Sequence, residues 1–412
     1  MVSWMIFLVV CSILLGALTI AAARFGGFGV DASEGVQKVH RHWVPRLGGL
    51  PVFATFVLGC LLWNYLGYLD HYSALALVGC SLPAFLIGLI EDLSQKAGIG
   101  MRLVVTMLAA ALGWYFLDGQ IRRLDVPLID ELLMASALLS FVLTAVAVAG
   151  VAHAINIIDG YNGLSGFFSL AAFSAIGAVA AMHGDQQLAQ AALIAVLSMI
   201  GFLFWNYPMG RMFLGDSGAY FIGFLIAEFS ILLVIRNPAV SPWCPLLIAI
   251  YPIWETLFSM YRRASVGGFS HMGQADALHL HHLVFRRLVK SSGCDGSHRA
   301  AVLRNAMTTP YLLVLVLLSV IPAVIFADQP MVLFGFCLLF AASYILCYRM
   351  IIQPALGGFP SEDAASAWAA IDKLAHDYMV EVQQCIPAPL NYAPPGYAPF
   401  PKSICTSINQ QI

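Results

Sequence analysis

In "RMFLGDSGAYFIGFLIAEFS", residues 211–230, Asp216 stands between Gly215 and Ser217 at the lip of an apolar run long enough to enter a bilayer. Other acids sit at similar places. Glu91 and Asp92 close one apolar run, Asp159 closes another, and Asp276 lies in a loop rich in histidine. A carboxylate at the end of a membrane helix usually does no more than solvate that end. Several converging on one side of a membrane could instead hold a hard divalent cation, whose preferred donors are oxygens and which steadies the negative charge of reacting phosphates.

The neighbouring residues suit that chemistry. In "INIIDGYNGLSG", Asn156 and Asp159 are three apart and share a helix face, and Gly160, Gly163 and Gly166 allow backbone to approach a bulky polar ligand. Small residues are also ordinary glue between membrane helices, which is the bland account of the same glycines. "WNYPMGRMFLGDSG" holds Asn206, Phe213 and Asp216 in one short loop, where an aromatic face can stack on a base and a carboxylate can bind a cation. "QADALHLHHLVFRR" sets His279, His281 and His282 beside Arg286 and Arg287. Zinc is the rival reading of those histidines, and a solvated cluster is the bland one. No cysteine lies nearby, and cationic donors beside acids suit phosphates bound to Mg²⁺ better.

These residues need a scaffold, and composition says which. Of 412 residues, 60% are hydrophobic and 10% charged, which excludes a water-soluble domain with a charged surface. Runs near spanning length recur at roughly 2–23, 47–69, 73–90, 102–117, 133–152, 164–182, 188–205, 217–235, 243–261, 310–327 and 331–348, predicting an all-α, polytopic membrane bundle of about eleven helices. The first run has no Lys or Arg ahead of it and is too long for the core of a signal peptide, so it reads as a retained span. With the N-terminus outside and the C-terminus cytoplasmic, 17 of the 20 Lys and Arg residues fall on the cytoplasmic side, leaving Arg122, Arg123 and Arg236 outside. The acids named above then fall on the cytoplasmic face as well, although the count of basic residues did not require it. Residues 1–352 read as the membrane domain and 353–412 as a cytoplasmic tail, a short helix followed by a Pro-rich disordered stretch. The nine cysteines contain no CxxC pair and read as small buried residues. Nothing in the sequence points to nucleic acid.

"KVHRHWVPRLGGL", "GLIEDLSQK", "NIIDGYNGLSG", "FLGDSGAYFIG" and "ADALHLHHL" resemble, in order, the successive signatures of the polyprenyl-phosphate N-acetylhexosamine-1-phosphate transferases of glycosyltransferase family 4, which include the phospho-MurNAc-pentapeptide transferase. The resemblance runs over residues 24–290. It implies transfer of a sugar 1-phosphate from a UDP-N-acetylhexosamine to a membrane polyprenyl phosphate, undecaprenyl phosphate in bacteria, with release of UMP, initiating cell-envelope glycan synthesis. It implies Mg²⁺, with Mn²⁺ as the substitute, and a multi-pass protein of the bacterial cytoplasmic membrane whose active site faces the cytoplasm. A homodimer is the oligomer it suggests. Residue by residue, Asp216 and Asp92 would hold the metal. Glu91, Asp92 and Asp159 would serve the chemistry. Lys38, Arg46, Asn156, Asn162, Asn206, Phe213, His279, His281, His282 and Arg286 would bind substrate, with Lys38 and Arg46 neutralising phosphates unless they merely anchor the membrane surface.

The sequence departs from the family pattern twice. The usual Asp-Asp pair is Glu91-Asp92, whose extra methylene moves the first carboxylate, and the second acid of DGxDG is Asn162, a carboxamide able to read the imide edge of uracil. The competing functional class is an ion-coupled transporter, but its acids would lie near mid-bilayer in broken helices. The identity of the sugar is not encoded in these motifs; the HLHH form resembles the N-acetylglucosamine branch more than the pentapeptide-accepting one.

Overall fold

The computed structural model describes residues 1–26, 29, 44–267, 276, 278–289 and 298–356. Lys38 and the expected tail beyond residue 356 lie outside the described residues. The chain divides into two compact units, residues 1–345 and 346–412, and only the end of the last helix is described in the second. The helices run in the order α1 (Val2–Gly26), α2 (Gly49–Tyr65), α3 (His71–Ser94), α4 (Ile99–Phe116), α5 (Pro127–Ala135), α6 (Ala137–Ile158), α7 (Leu164–Met182), α8 (Gln186–Asn206), α9 (Gly215–Arg236), α10 (Trp243–Ile248), α11 (Ile250–Gly267), α12 (Leu280–Arg287), α13 (His298–Ala306), α14 (Thr308–Ile325) and α15 (Pro330–Leu356).

This is an all-α integral membrane protein. Among the described residues, nine helices are long and apolar enough to cross a bilayer, and α2 is a shorter apolar helix of 17 residues. The ninth expected span, 243–261, is broken at Ala249 into α10 and α11. Pro252 lies in the first turn of α11, where a missing N–H removes no intrahelical bond. Large apolar side chains such as Leu14, Val104, Leu318 and Leu338 remain exposed on α1, α4, α14 and α15, as a lipid-facing surface requires.

At the centre is α9. Every residue from Gly215 to Phe229 is buried, and the helix packs against α2, α3, α4, α6 and α7. A helix apolar all round belongs inside such a bundle. Because lipid is as apolar as leucine, close packing rather than water exclusion holds these helices together, and small residues set how close they come. At Gly88 of α3, an added Cβ would lie 2.4 Å from the Asp216 carbonyl oxygen and the Ser217 nitrogen, so α3 reaches the start of α9 only through glycine. Caps fix other ends. The Asp70 carboxylate accepts from Ser73 N–H at 2.8 Å to start α3, and Asp185 accepts from Leu188 N–H at 3.1 Å to start α8.

Candidate active site

The start of α9 is capped from another helix. Leu214, the residue before α9, offers no side-chain cap, so the first N–H groups of the helix need acceptors. Asp92, in the last turn of α3, supplies them. Its Oδ1 accepts from Asp216 N–H at 2.8 Å, and its Oδ2 accepts from Ser217 N–H at 2.9 Å and Ser217 Oγ–H at 2.6 Å. A buried anion at a helix N-terminus is stabilised by those donors and by the helix dipole. Gly215 makes room for it: its φ is +75°, and a Cβ there would lie 2.7 Å from Asp92 Oδ2.

With its amide held by Asp92, Asp216 turns its own carboxylate to three other elements. Oδ1 accepts from Asn156 Nδ2 of α6 at 3.0 Å and from Arg46 Nη2 at 3.3 Å, and Oδ2 accepts from Arg102 Nη1 at the start of α4. The backbone of 45–49 is stitched to this corner by Phe213 N–H to the Pro45 carbonyl and Gly48 N–H to the Phe213 carbonyl, both 2.9 Å. That leaves the Phe213 ring half-buried beside Asp216 in the chain.

Asp159 follows the last residue of α6 and accepts a hydrogen bond from Ser165 Oγ–H. Burial pushes its carboxyl up to about 7; Ser165 and Arg46 work against that shift, while Asp216 and Asp92 add to it. Three acids therefore share one electrostatic corner. Glu91 is turned elsewhere: its Oε2 accepts from Ala97 N–H at 2.8 Å and holds the turn between α3 and α4.

The turn 159–163 joins this corner to the histidines. Tyr161 Oη and His282 Nδ1 are 2.8 Å apart, and the Tyr161 ring meets those of His281, His282 and Phe285. Burial, then the neighbouring imidazoles, drives His281 well below the ordinary histidine value, and burial with His279 and Arg286 takes His282 down to about 4. Both rings are neutral at pH 7, so they can offer phosphates an N–H but no charge. His279 Nδ1 lies 2.9 Å from Glu255 Oε1, and Arg286 is exposed at the end of α12. Asp276 lies under Arg262 and Ser259, and despite its burial Ser259, His279, the Leu278 amide and Arg262 hold its carboxyl below the usual range.

Two residues expected to bind substrate are instead internal. Asn162 is 1% exposed; its N–H donates to Asn305 Oδ1 at 2.8 Å, its carbonyl accepts from Thr309 Oγ1–H at 2.7 Å, and its Nδ2 donates to the Pro208 carbonyl at 3.2 Å. These bonds join α14 and the 207–210 turn to the site. Asn206 is bonded internally as well: its Oδ1 accepts from Gly163 N–H at 2.6 Å and its Nδ2 donates to the Met212 carbonyl at 2.8 Å. Sequence reading missed Arg102, Ser217, Tyr161 and Glu255. The available signal for Arg102 and Glu255 was a charge inside an apolar run, which marks a functional position by default.

Four elements thus bring a carboxylate, two guanidiniums and a carboxamide to one helix end, and residues 74–234, which carry most of them, match the family model described as glycosyl transferase family 4. Over that stretch the chain is similar to glycosyl transferase family 4. Among its relatives, the probable undecaprenyl-phosphate N-acetylglucosaminyl 1-phosphate transferase of Bacillus subtilis is 27% identical over 253 residues, 60% of this chain and 67% of that protein. The undecaprenyl-phosphate alpha-N-acetylglucosaminyl 1-phosphate transferase of Thermotoga maritima is 28% identical over 62% of this chain and 72% of its own length. A phospho-N-acetylmuramoyl-pentapeptide-transferase of Lacticaseibacillus paracasei is 27% identical over 56% of this chain and 71% of its own length. The matched region covers the acid corner from α3 to α9 and stops before the histidines.

Proposed function

We propose that the chain transfers an N-acetylhexosamine 1-phosphate from a UDP-sugar to a polyprenyl phosphate, releasing UMP, at the cytoplasmic face of a bacterial inner membrane. The observation that carries this reading is Asp216 fixed at a helix end among Arg46, Arg102 and Asn156. The names of the relatives support the reaction class, and the distribution of Lys and Arg supports the orientation. The oxygen-rich corner fits Mg²⁺. Among the described residues no group of three His, Cys, Asp or Glu side chains is disposed to hold a metal ion. Mg²⁺ in phosphoryl-transfer sites characteristically takes one or two carboxylates and completes its shell with water and substrate phosphates. Asp216 is the carboxylate that would hold it, and Asp92, whose oxygens are engaged by α9, would keep Asp216 in place. The bound ion would neutralise charge on the phosphates.

In the transfer, an oxygen of the acceptor phosphate attacks the sugar-bearing phosphorus of the donor. The bond from that phosphorus to the bridging oxygen breaks, and UMP leaves with it. A phosphate monoester is largely ionised at neutral pH, its second pKa being about 6, so alignment matters more than proton removal. Asp159, near 7, can take the proton that remains on part of the acceptor. Arg46 and Arg102 bring positive charge to the oxygens on which negative charge gathers. Neutral His281 and His282 complete the wall with N–H donors.

The test is purified protein with Mg²⁺, a prenyl phosphate and a panel of UDP-sugars that includes UDP-MurNAc-pentapeptide. Release of UMP together with a lipid-linked sugar diphosphate is expected. Release of UDP would mean ordinary glycosyl transfer, and no nucleotide release across the panel would return the ion-coupled transporter as the better account.

A further inference from the structure

Glu255 is a fully engaged carboxylate outside the acid corner. It lies on α11, is 1% exposed, and is approached by donors from two other elements. Oε1 is 2.9 Å from His279 Nδ1 and accepts from Leu280 N–H at 2.8 Å, while Oε2 accepts from Tyr344 Oη–H of α15 at 2.9 Å. The Leu280 amide is the first of α12, and His279, which precedes it, supplies no side-chain cap. Glu255 therefore takes the place of the missing cap.

The same oxygen decides which nitrogen of His279 carries hydrogen. An ionised carboxylate only accepts, so the Nδ1 facing it is protonated whether the ring is neutral or cationic. In the neutral ring Nε2 is then the nitrogen that carries the lone pair. It lies 3.8 Å from Asp276 Oδ2, too far for a direct hydrogen bond. The groups around the ring are Glu255 of α11, Asp276 with its partner Arg262, and the imidazoles of His281, stacked at 5.2 Å, and His282 at 6.2 Å.

We infer that Glu255, steadied by Tyr344, is the positioning residue of the histidine wall: it caps α12 and fixes the His279 ring with Nδ1–H on the carboxylate and Nε2 on the opposite edge. The inference rests on the transferase reading for its kinetic consequence and on geometry alone for the state of the ring. Four of the side chains expected to meet substrate, His279, His281, His282 and Arg286, stand on or immediately before α12, so one carboxylate sets the angle of the whole wall.

The test uses the full chain, purified with selectively ¹⁵N-labelled histidine. A His279→Asn spectrum assigns the signal. In wild type, the His279 Nδ1 signal is that of a protonated nitrogen. Glu255→Gln retains an acceptor for Leu280 and a melting temperature within a few degrees of wild type, but its His279 signals average between tautomers. With UDP-sugar and prenyl phosphate, kcat falls at least tenfold while KM for the nucleotide sugar changes less than threefold. Tyr344→Phe keeps the wild-type ring state and loses about two- to fivefold in kcat. Wild-type spectra in Glu255→Gln, or an unprotonated Nδ1 in wild type, overturn the inference. If wild type releases no UMP yet its spectra behave as stated, the transferase reading fails and the ring assignment stands.

Discussion

Replacing Asp92 by Asn asks whether this carboxylate caps a helix or binds a cation. The substitution keeps size and removes one acceptor oxygen and the charge. The amide would retain its single oxygen for Ser217, which brings two donors, and present Nδ2 to the Asp216 amide, donor against donor. Losing one hydrogen bond to a charged group costs about 1.5–3 kcal/mol, and losing the charge at the end of α9 adds about 0.5–1 kcal/mol. A loss of about 2–4 kcal/mol lowers the melting temperature by roughly 5–10 °C. Turnover falls with it by at least about a hundredfold, since the displaced group is the backbone that aims Asp216. The assay pairs thermal melting in detergent with UMP release across a Mg²⁺ series. Glu91→Gln is the control: its remaining oxygen still accepts from Ala97 N–H, so melting shifts by no more than about 2–4 °C, as for a loss near 1 kcal/mol. An Asp92→Asn protein that melts like wild type and whose activity returns at high Mg²⁺ would refute the cap and restore Asp92 as a metal ligand.

Three further outcomes follow from the same corner. Asp216→Asn should cut turnover at least about a hundredfold and also destabilise, because Arg102 would lose its anion; adding Arg102→Gln should recover stability and leave turnover low, as a double-mutant cycle on one ion pair requires. Asp159, held up to about 7 when folded against 3.8 in a free chain, favours the folded state while protonated, so that contribution is full below about 4 and is lost as pH rises toward 7. Melting across this range should show that decline in wild type and a flatter profile in Asp159→Asn. His281 and His282 should stay neutral by ¹⁵N spectroscopy down to pH 5.5, and a titration of either near 6.5 would contradict their enclosure.

Much of the architecture was legible because lipid imposes a coarse rule: an apolar run of spanning length becomes a helix. The rule is weakest where polar residues end a run. The third span was expected to close at 90 and the fifth at 152, whereas α3 continues to Ser94 and α6 to Ile158, carrying Asp92 and Asn156 inside helices. Those residues remain helical because their partners are in the protein rather than in lipid or water, and partners distant in sequence leave no local trace. Glu91 and Asp92 illustrate the limit, adjacent in sequence yet turned to the α3–α4 turn and to α9 respectively.

Asn162 and Glu255 show why motif position alone cannot assign a role. Asn162 occupies a recognisable motif slot and is spent on holding together three segments, while Glu255 was passed over within an apolar run and fixes a histidine. A residue that meets phosphate must leave donors free on the open side of the site, whereas a residue that builds the wall must spend them inward, and both uses favour the same small set of polar side chains. Distinguishing them requires knowing where each hydrogen bond ends. By that criterion, Asp92, Asn162, Asn206 and Glu255 are residues whose hydrogen bonds end inside the protein and hold neighbouring segments in place.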